Sequence, residues 1–428
     1  MRDIKDIRQD INDVDEQIAS LYQKRMNLSL EVAEYKKNNN LPIFDAKREE
    51  EVILRNLELI KDESIKTYYR QFLTELMRES KEHQQDYLSK KDKVVKVNVN
   101  PSYEVVIKNG LISELDKYLD VKKKTLIVTD SLIPNIYVDL VKNQLENAYV
   151  VVFDAGEKNK NFLSYEKILS ELYKNEFTRQ DNILALGGGL VSDVTGFAAS
   201  SYMRGINFYI ISTSLLGQVD ASVGGKVAIN YINRKNLIGA FYQPKKVLID
   251  VDTLKTLDSR IYNEGFAEII KMAATLDPEL FNYLENSSLE EINDNINDII
   301  YRSIKLKADI VSVDEKENGL RRVLNFGHTV GHAIEGLSQG YLLHGESVAI
   351  GMTYMVNPKI KERLNNLLLK FHLPTSINFG VDEIIEYIKL DKKKMDDDSI
   401  IIVYVNDIGD YEFKNVNFKT LKEMIGGR

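Results

Sequence analysis

The sequence predicts a multidomain chain: an all-α helical bundle, then an α/β Rossmann-like domain, then a mainly α domain. Three observations predict this. In the first stretch apolar residues recur at steps of three and four, with no Gly or Pro before Pro42. Beyond about residue 93, short β-branched runs alternate with helix-like stretches, the pattern of a largely parallel sheet with covering helices. From about Arg260 onward the pattern is again mainly helical. The boundaries are drawn at 1–90 for the bundle, 91–93 for a linker, 94–258 for the α/β domain and 259–428 for the helical domain.

The first helix is marked by Ile4, Ile7, Ile11, Val14, Ile18, Leu21, Leu28, Val32 and Tyr35, a heptad pattern. A helix of about 33 residues is about 50 Å long. This small segment cannot cover it, so a partner chain is expected. Asn38 to Pro42 break the helix. Asp45 can cap a second helix to about Leu59, and Ser64 a third to about Leu88. The expected strands are Val94–Val99, Thr125–Thr129, Tyr149–Phe153, Ile183–Leu186, Phe208–Ile211 and Val247–Ile249, and a last one, Ile400–Val405, returns to close the fold.

Composition bounds the function. There is no cysteine among 428 residues, which excludes disulfides and thiolate metal sites and suits a reducing, cytoplasmic compartment. The charged N-terminus does not read as a signal peptide, and no apolar run approaches a bilayer span, so no membrane partner is expected. A net charge of −8 argues against nucleic acid. Small anionic substrates remain compatible, since a few converging cations can serve them.

Arg25 occupies a position in the series Ile4, Ile11, Ile18, Val32 that should be apolar, and a buried guanidinium needs an anionic partner. The third helix presents Tyr69, Phe72, Leu73, Leu76 and Met77, then Ser80 and Gln84 on the same face. Taken alone, Arg25 reads more readily as a snorkelling residue of a coiled-coil hairpin. With Arg8, Lys36 and Arg48, however, one bundle holds four cations. This set resembles the all-helical (AroQ) class of chorismate mutase, over about residues 1–90. The resemblance implies that Arg25, Lys36, Asp45, Arg48, Glu49, Ser80 and Gln84 form the site of one subunit and that Arg8 comes from the other, hence a homodimer. Arginines suit the carboxylates because they bind bidentately. Lys36 and Gln84 would face the ether oxygen of chorismate as it rearranges to prephenate.

In the second part, Gly187-Gly188-Gly189 follows a strand and precedes a helix with Asp193 in its first turn, which is either a tight turn or a pyrophosphate site. Three of the five histidines, His328, His332 and His344, fall close together. The i,i+4 pair His328/His332 has metal-ligand spacing. His372 reads as a helix end and His83 as exposed. Lysines and arginines cluster at glycine and turn signals: Arg204-Gly205, Gly224-Gly225-Lys226 and Lys235-Asn236. Lys271 shares a helix face with Glu268. Any one of these cations is by default solvated; together they suit a phosphorylated, acidic substrate.

Residues 94–428 resemble 3-dehydroquinate synthase along nearly their whole length. The carrying motifs are Gly187-Gly-Gly-Leu-Val-Ser-Asp193, Tyr202-Met-Arg-Gly205, Gln218-Val-Asp-Ala-Ser-Val-Gly-Gly-Lys226, Lys235-Asn-Leu-Ile-Gly-Ala-Phe-Tyr-Gln-Pro244, Gly265-Phe-Ala-Glu-Ile-Ile-Lys271, and Asn325 to His332 with His344-Gly-Glu346. The resemblance implies NAD and a divalent metal, zinc or cobalt, as cofactors. It implies Glu268, His328 and His344 as metal ligands, with His332 as an acid–base residue rather than the ligand its spacing suggests. NAD would contact Asp130, Glu157, Lys160, Gly188, Gly189, Asp193, Thr213, Ser214 and Lys235. The substrate would be held by Arg204, Asp220, Lys226, Asn236, Lys271, Lys307, Arg321, Asn325, His332 and Lys392, with Glu317 as a proton acceptor. The reaction implied is cyclisation of 3-deoxy-D-arabino-heptulosonate 7-phosphate to 3-dehydroquinate with loss of phosphate, an early step of the shikimate pathway to aromatic amino acids. One departure stands out: Thr353–His372 is shorter than the family's usual segment, which suggests a shortened surface hairpin.

Three other readings follow from the same residues. The helical module could serve as a chorismate or prephenate feedback sensor. The cyclase could use another sugar phosphate. A metal-dependent alcohol dehydrogenase is disfavoured by Lys226, Lys271 and Arg321.

Overall fold

The computed structural model describes residues 2–39, 41, 46–89, 92–232, 234–392 and 399–427. The chain divides into two compact units between Asp92 and Lys93. No helix among the described residues is long and apolar enough to cross a membrane.

The first unit is helical: α1 (Ile4–Asn38), α2 (Ala46–Leu57) and α3 (Lys66–Ser89). The Asp3 carboxylate accepts from Lys5 N–H and starts α1. Asp62, not Ser64, caps the 3-10 turn leading into α3; Ser64 donates its N–H and hydroxyl to Asp62. Asp45 lies outside the described residues. The unit's own core uses Met26, Ser29 and Ala33 of α1 against Leu73, Met77, Ser80 and Gln84 of α3. The heptad series faces elsewhere: Ile11 is 54% and Leu21 66% exposed. The expectation that Arg25 breaks a buried apolar row is therefore corrected. Its neighbours in that row are exposed within one chain, and Arg25 itself is half-buried at the edge of the core.

The second unit is built on a seven-stranded sheet: β1 (Lys93–Val97), β2 (Tyr103–Ile107), β3 (Thr125–Asp130), β4 (Ala148–Phe153), β5 (Asn182–Gly187), β6 (Asn207–Ser212) and, after the hairpin β7 (Lys226–Tyr231) and β8 (Arg234–Phe241), β9 (Lys246–Ile249). The order is β1-β2-β9-β6-β5-β3-β4, with only β1 antiparallel. Every residue of β5 is buried, as expected for a parallel strand covered on both faces. The covering helices are α4 (Asn135–Lys142), α5 (Phe162–Lys174) and α6 (Gly189–Ser201). From β3 the chain pairs β4 on one side and β5 on the other. The gap beyond the carboxyl ends of β3 and β5 is thus a topological switch point, where open α/β sheets bind ligands.

The remaining helices are α7 (Ser259–Leu276), α8 (Pro278–Asn286), α9 (Leu289–Asp294), α10 (Ile296–Val313), α11 (His328–Leu337), α12 (His344–Met352), α13 (Pro358–Lys370), α14 (Val381–Lys392) and α15 (Phe418–Gly426). Two expectations change here. The shortened segment is mostly α13, capped by Asn357 with Pro358 opening the helix and Ile360, Leu364, Leu367 and Leu368 buried; it is not a surface hairpin. The last expected strand, Ile400–Val405, is present within β10 (Ser399–Asp407); what changes is its partner, since it pairs with β11 (Asp410–Asn417) in a two-stranded ribbon of its own. The hairpin β7–β8 and the strands β2 and β11 were not among the expected strands; β7, β8 and β11 are half-exposed or exposed and lack a continuous β-branched run.

Candidate active site

Two glycines bring the histidines to α7. A Cβ on Gly345 would lie 2.1 Å from the Glu264 carbonyl oxygen, and one on Gly351 would lie 2.0 Å from that of Gly327. Only glycine lets α12 sit this close to α7 and α11. The packing places His328 Nε2 3.5 Å and His344 Nε2 3.4 Å from the same oxygen of Glu268. The Glu268 carboxylate is 1% exposed; its Oε2 pairs with the Lys271 ammonium, and no hydrogen bond satisfies the Oε1 that the histidines face. Metal–ligand bonds of about 2.1 Å in a tetrahedron set donor atoms about 3.4 Å apart. The residues present therefore fit a divalent cation. His332 is exposed beside them, its ring 5.1 Å from His328 and 5.7 Å from His344. Its nitrogens join the histidine cluster.

The rings differ electrostatically. Burial, and then the Lys271 ammonium, hold His328 well below its ordinary range. Burial also opposes charge on His344, but the nearby Glu268 and Glu335 carboxylates outweigh it and push the group up to about 10.

Beside this cluster lies a buried cation set. The Lys271 ammonium pairs with Glu268 and lies 3.8 Å from Asp220. The Lys307 ammonium lies 2.8 Å from the Asp220 carboxylate and donates to its carbonyl at 2.6 Å. Asp220 sits in a π-helical turn, Gly217–Ala221, a local widening often found at functional sites. Burial lowers Lys307 to about 8, because Asp220 only partly offsets lost hydration. Burial opposes charge on Asp220, yet Lys307 and Lys271 keep its carboxyl below the usual range. Arg321 donates to Gly224 O at 3.3 and 3.4 Å and to Glu315 O, fixing the loop that carries Lys226. Lys226 pairs with Glu317, which also accepts from Asn325. Glu317 and Asn236 hold left-handed backbones, φ 61° and 52°. Strain of this kind concentrates at functional sites.

The glycine turn lies at the switch point. A Cβ on Gly188 would be 3.0 Å from Ser214 Oγ and one on Gly189 3.1 Å from Ala221 Cβ, so the turn is closely cradled. The buried Thr213 Oγ1 has no partner. Asp130 ends β3. Asp193 falls one residue beyond the first turn of α6 rather than within it. It pairs with buried Lys160, which also donates to Asn236 Oδ1. Glu157 accepts from Asn230 at 2.8 Å, and Asn230 in turn accepts from Asn236 N–H. The donors and close backbone approach fit a dinucleotide.

Arg204 stands apart: it is exposed on the turn beyond α6, φ 67°, with no ion pair among the described residues. Lys392 is the last residue of α14, and Lys393 and Lys394 lie outside the described residues. Sequence reasoning missed Glu335. It receives His344 Nδ1 at 3.2 Å and the Lys235 ammonium at 2.6 Å. Its signal was available, because Glu335 follows His328 and His332 at i+7 and i+3 on one face of α11. Glu264, one turn before Glu268, was also missed; burial pushes it up to about 7, and it accepts from Gly345 N–H at 3.2 Å.

In the helical unit, Arg25 Nη1 reaches Leu76 O at 3.5 Å, and Gln84 donates to Ser80 Oγ at 3.5 Å. Gln84 Oε1 is buried without a partner, a polar atom left for a ligand. Glu49 pairs with Lys81 at 3.1 Å and Arg48 with Glu51 at 3.3 Å. Lys36 lies in the last turn of α1. His83 is half-buried with an unpartnered Nδ1, not exposed. Arg8 lies on α1 17 residues before Arg25, about 25 Å along the axis. It cannot join Arg25 within one chain.

Comparisons with known proteins agree on both units. Residues 7–85 match the family chorismate mutase type II, residues 150–264 the family 3-dehydroquinate synthase N-terminal, and residues 265–394 the family 3-dehydroquinate synthase C-terminal. The 3-dehydroquinate synthase of Clostridium botulinum is 42% identical over 341 residues, 75% of this chain and 97% of the relative. That of Streptococcus mutans is 40% identical, covering 77% of this chain and 99% of the relative. Among solved structures, the 2-epi-5-epi-valiolone synthase of Streptomyces hygroscopicus, with NAD+ and Zn2+ bound, has a TM-score of 0.70 at 26% identity, over 76% of this chain and 96% of its own. A 2-deoxy-scyllo-inosose synthase shares the fold with a TM-score of 0.71 at 24% identity, over 78% and 99%.

Proposed function

The chain belongs to the 3-dehydroquinate synthase family and carries a chorismate mutase type II module ahead of it, and from that premise we propose how its own residues divide the work. It is a bifunctional enzyme of the shikimate pathway, a lyase that makes 3-dehydroquinate and an isomerase that makes prephenate. Its synthase part uses NAD and a divalent metal, zinc or cobalt. Residues 94–258 would carry the cofactor site and 259–428 the metal ligands, with substrate ligands drawn from both.

Glu268, His328 and His344 would hold the metal. One observation carries this assignment: two imidazole nitrogens within 3.5 Å of one orphaned, buried carboxylate oxygen. When bound, the metal polarises a substrate oxygen as a Lewis acid, and NAD reversibly takes a hydride from a secondary alcohol. Asp130, Glu157, Lys160, Gly188, Gly189, Asp193, Thr213, Ser214 and Lys235 would bind the dinucleotide, its pyrophosphate at the N-terminus of α6. Lys226, Asn236, Lys271, Lys307, Arg321 and Asn325 would hold the anionic substrate, and Arg204 and Lys392 would complete the set. Asp220 keeps Lys271 and Lys307 oriented. The Glu317 carboxylate accepts a proton, and His332 exchanges one at its exposed ring.

In the helical module, Arg25, Arg48 and Arg8 of a second copy would bind the two carboxylates of chorismate. Lys36 and Gln84 would face the ether oxygen, while Asp45, Glu49 and Ser80 position the ring. The exposed heptad stripe of α1 and the reach of Arg8 support a homodimer. A cytoplasmic site of action fits a chain without cysteine.

Phosphate release from the heptulosonate phosphate tests the synthase reading. It should require both NAD and zinc and leave no net NADH. Faster release from another heptulose or hexose phosphate would reassign the substrate.

A further inference from the structure

Glu335 is a single carboxylate with two claimants. One oxygen accepts from Lys235 at 2.6 Å, and the other faces His344 Nδ1 at 3.2 Å. Lys235 belongs to β8, in the hairpin that follows the glycine-turn strands, whereas His344 opens α12. The Glu335 side chain is 12% exposed, so water competes little for either contact. We propose that Glu335 is a positioning residue that links the metal ligand His344 to the dinucleotide ligand Lys235, so that metal and NAD each strengthen the other's binding. The inference rests on the assignments of Lys235 to NAD and of His344 to the metal.

The physical argument is as follows. An Nδ1–H donated to Glu335 fixes the tautomer that leaves His344 Nε2 free to face Glu268, and it raises the basicity of that nitrogen. The Lys235 ammonium competes for the same carboxylate charge. When an anionic dinucleotide draws Lys235 away, Glu335 is left to His344 alone, and the imidazole becomes a better ligand. Conversely, a cation on Nε2 makes the Nδ1–H a stronger donor, engages Glu335 and releases Lys235 to the dinucleotide. Linkage requires the two effects to be equal.

The test is zinc affinity of the full-length protein by chelator competition, with and without saturating NAD, in the parent, Glu335→Ala, Glu335→Gln and Lys235→Met. In the parent, NAD should tighten zinc by about 5-fold or more. Glu335→Ala should weaken zinc about 10- to 100-fold without NAD and abolish the coupling. Glu335→Gln retains an acceptor for Nδ1 but no charge; it should keep more of the affinity and still lose the coupling. Lys235→Met should lose the coupling and, without NAD, bind zinc about as tightly as the NAD-saturated parent. Coupling that survives in Glu335→Gln, or parental zinc affinity indifferent to NAD, would overturn the inference alone. A parent protein that takes up no zinc would overturn the metal site as well.

Discussion

At the scale of single residues, the site is governed by which charges are buried and what faces them. Lys307 is the clearest case, since its ordinary value is lowered to about 8 by burial. Its ammonium is present below that pH and lost above it. If the ammonium holds the anionic substrate, synthase kcat/KM should fall on the alkaline side with an apparent pKa of about 8, because kcat/KM reports the free enzyme. A falling limb above pH 9.5 would remove Lys307 from that role. Glu268 makes a second prediction. Replacing it with Ala leaves Lys271 buried with Asp220, 3.8 Å away, and the weaker influence of Glu317 for charge. Losing one partner of a buried pair costs about 3–5 kcal/mol. Urea unfolding of Glu268→Ala in chelator should therefore shift to a clearly lower midpoint than that of the parent in chelator. Histidine density and the lysines beside glycines were legible in the sequence. Glu335 carried a signal in its spacing from His328 and His332, but Glu264 did not, because a glutamate on a helix looks alike whether it faces water or a ligand.

At the scale of elements, α1 and α12 carry the argument. Helix α1 has 35 residues, about 52 Å, and shows most of its apolar stripe to solvent within one chain. Charges placed on that stripe, Ile11→Lys with Ile18→Lys, should leave the described core of the unit intact, since Met26, Ala33, Leu73 and Met77 are not in the stripe. They should nevertheless cut chorismate turnover about 100-fold or more by removing Arg8 of the second copy. Turnover unchanged at nanomolar enzyme would refute the shared site. Helix α12 depends on close approach. Gly345→Ala must move it from Glu264, and the shift should weaken zinc before it unfolds the protein. Displacement of α12 without a change in zinc retention would show that His344 is not a ligand. The heptad spacing was readable from sequence, but the face buried by the chain itself was not, because a second face carries Met26, Ser29 and Ala33 between the heptad positions.

At the scale of the whole molecule, the residue sets proposed for the two reactions do not overlap. Arg25→Ala should abolish prephenate formation and leave phosphate release within about two-fold, and His344→Ala should do the reverse. Loss of both activities in either variant would tie the two sites together. Titrating prephenate into the phosphate-release assay then separates two catalysts on one chain from a feedback device: a saturable change in rate requires that prephenate bind two synthase states unequally.

The sequence by itself determined the fold class, the change of architecture near residue 93, the family of each part and the residue types available for chemistry. These are properties of local periodicity and of long motifs, which need no neighbour in space to be read. Only the tertiary structure decided which of the chemically eligible groups meet. It set two histidine nitrogens within 3.5 Å of one carboxylate oxygen, with His332 in the same cluster, and gave His344 and Lys235 a common partner in Glu335. It turned the shortened segment into a packed helix and kept the last strand out of the main sheet. Such outcomes depend on close approach at glycines and on competition for buried charge, and neither is written in the spacing of residues along the chain.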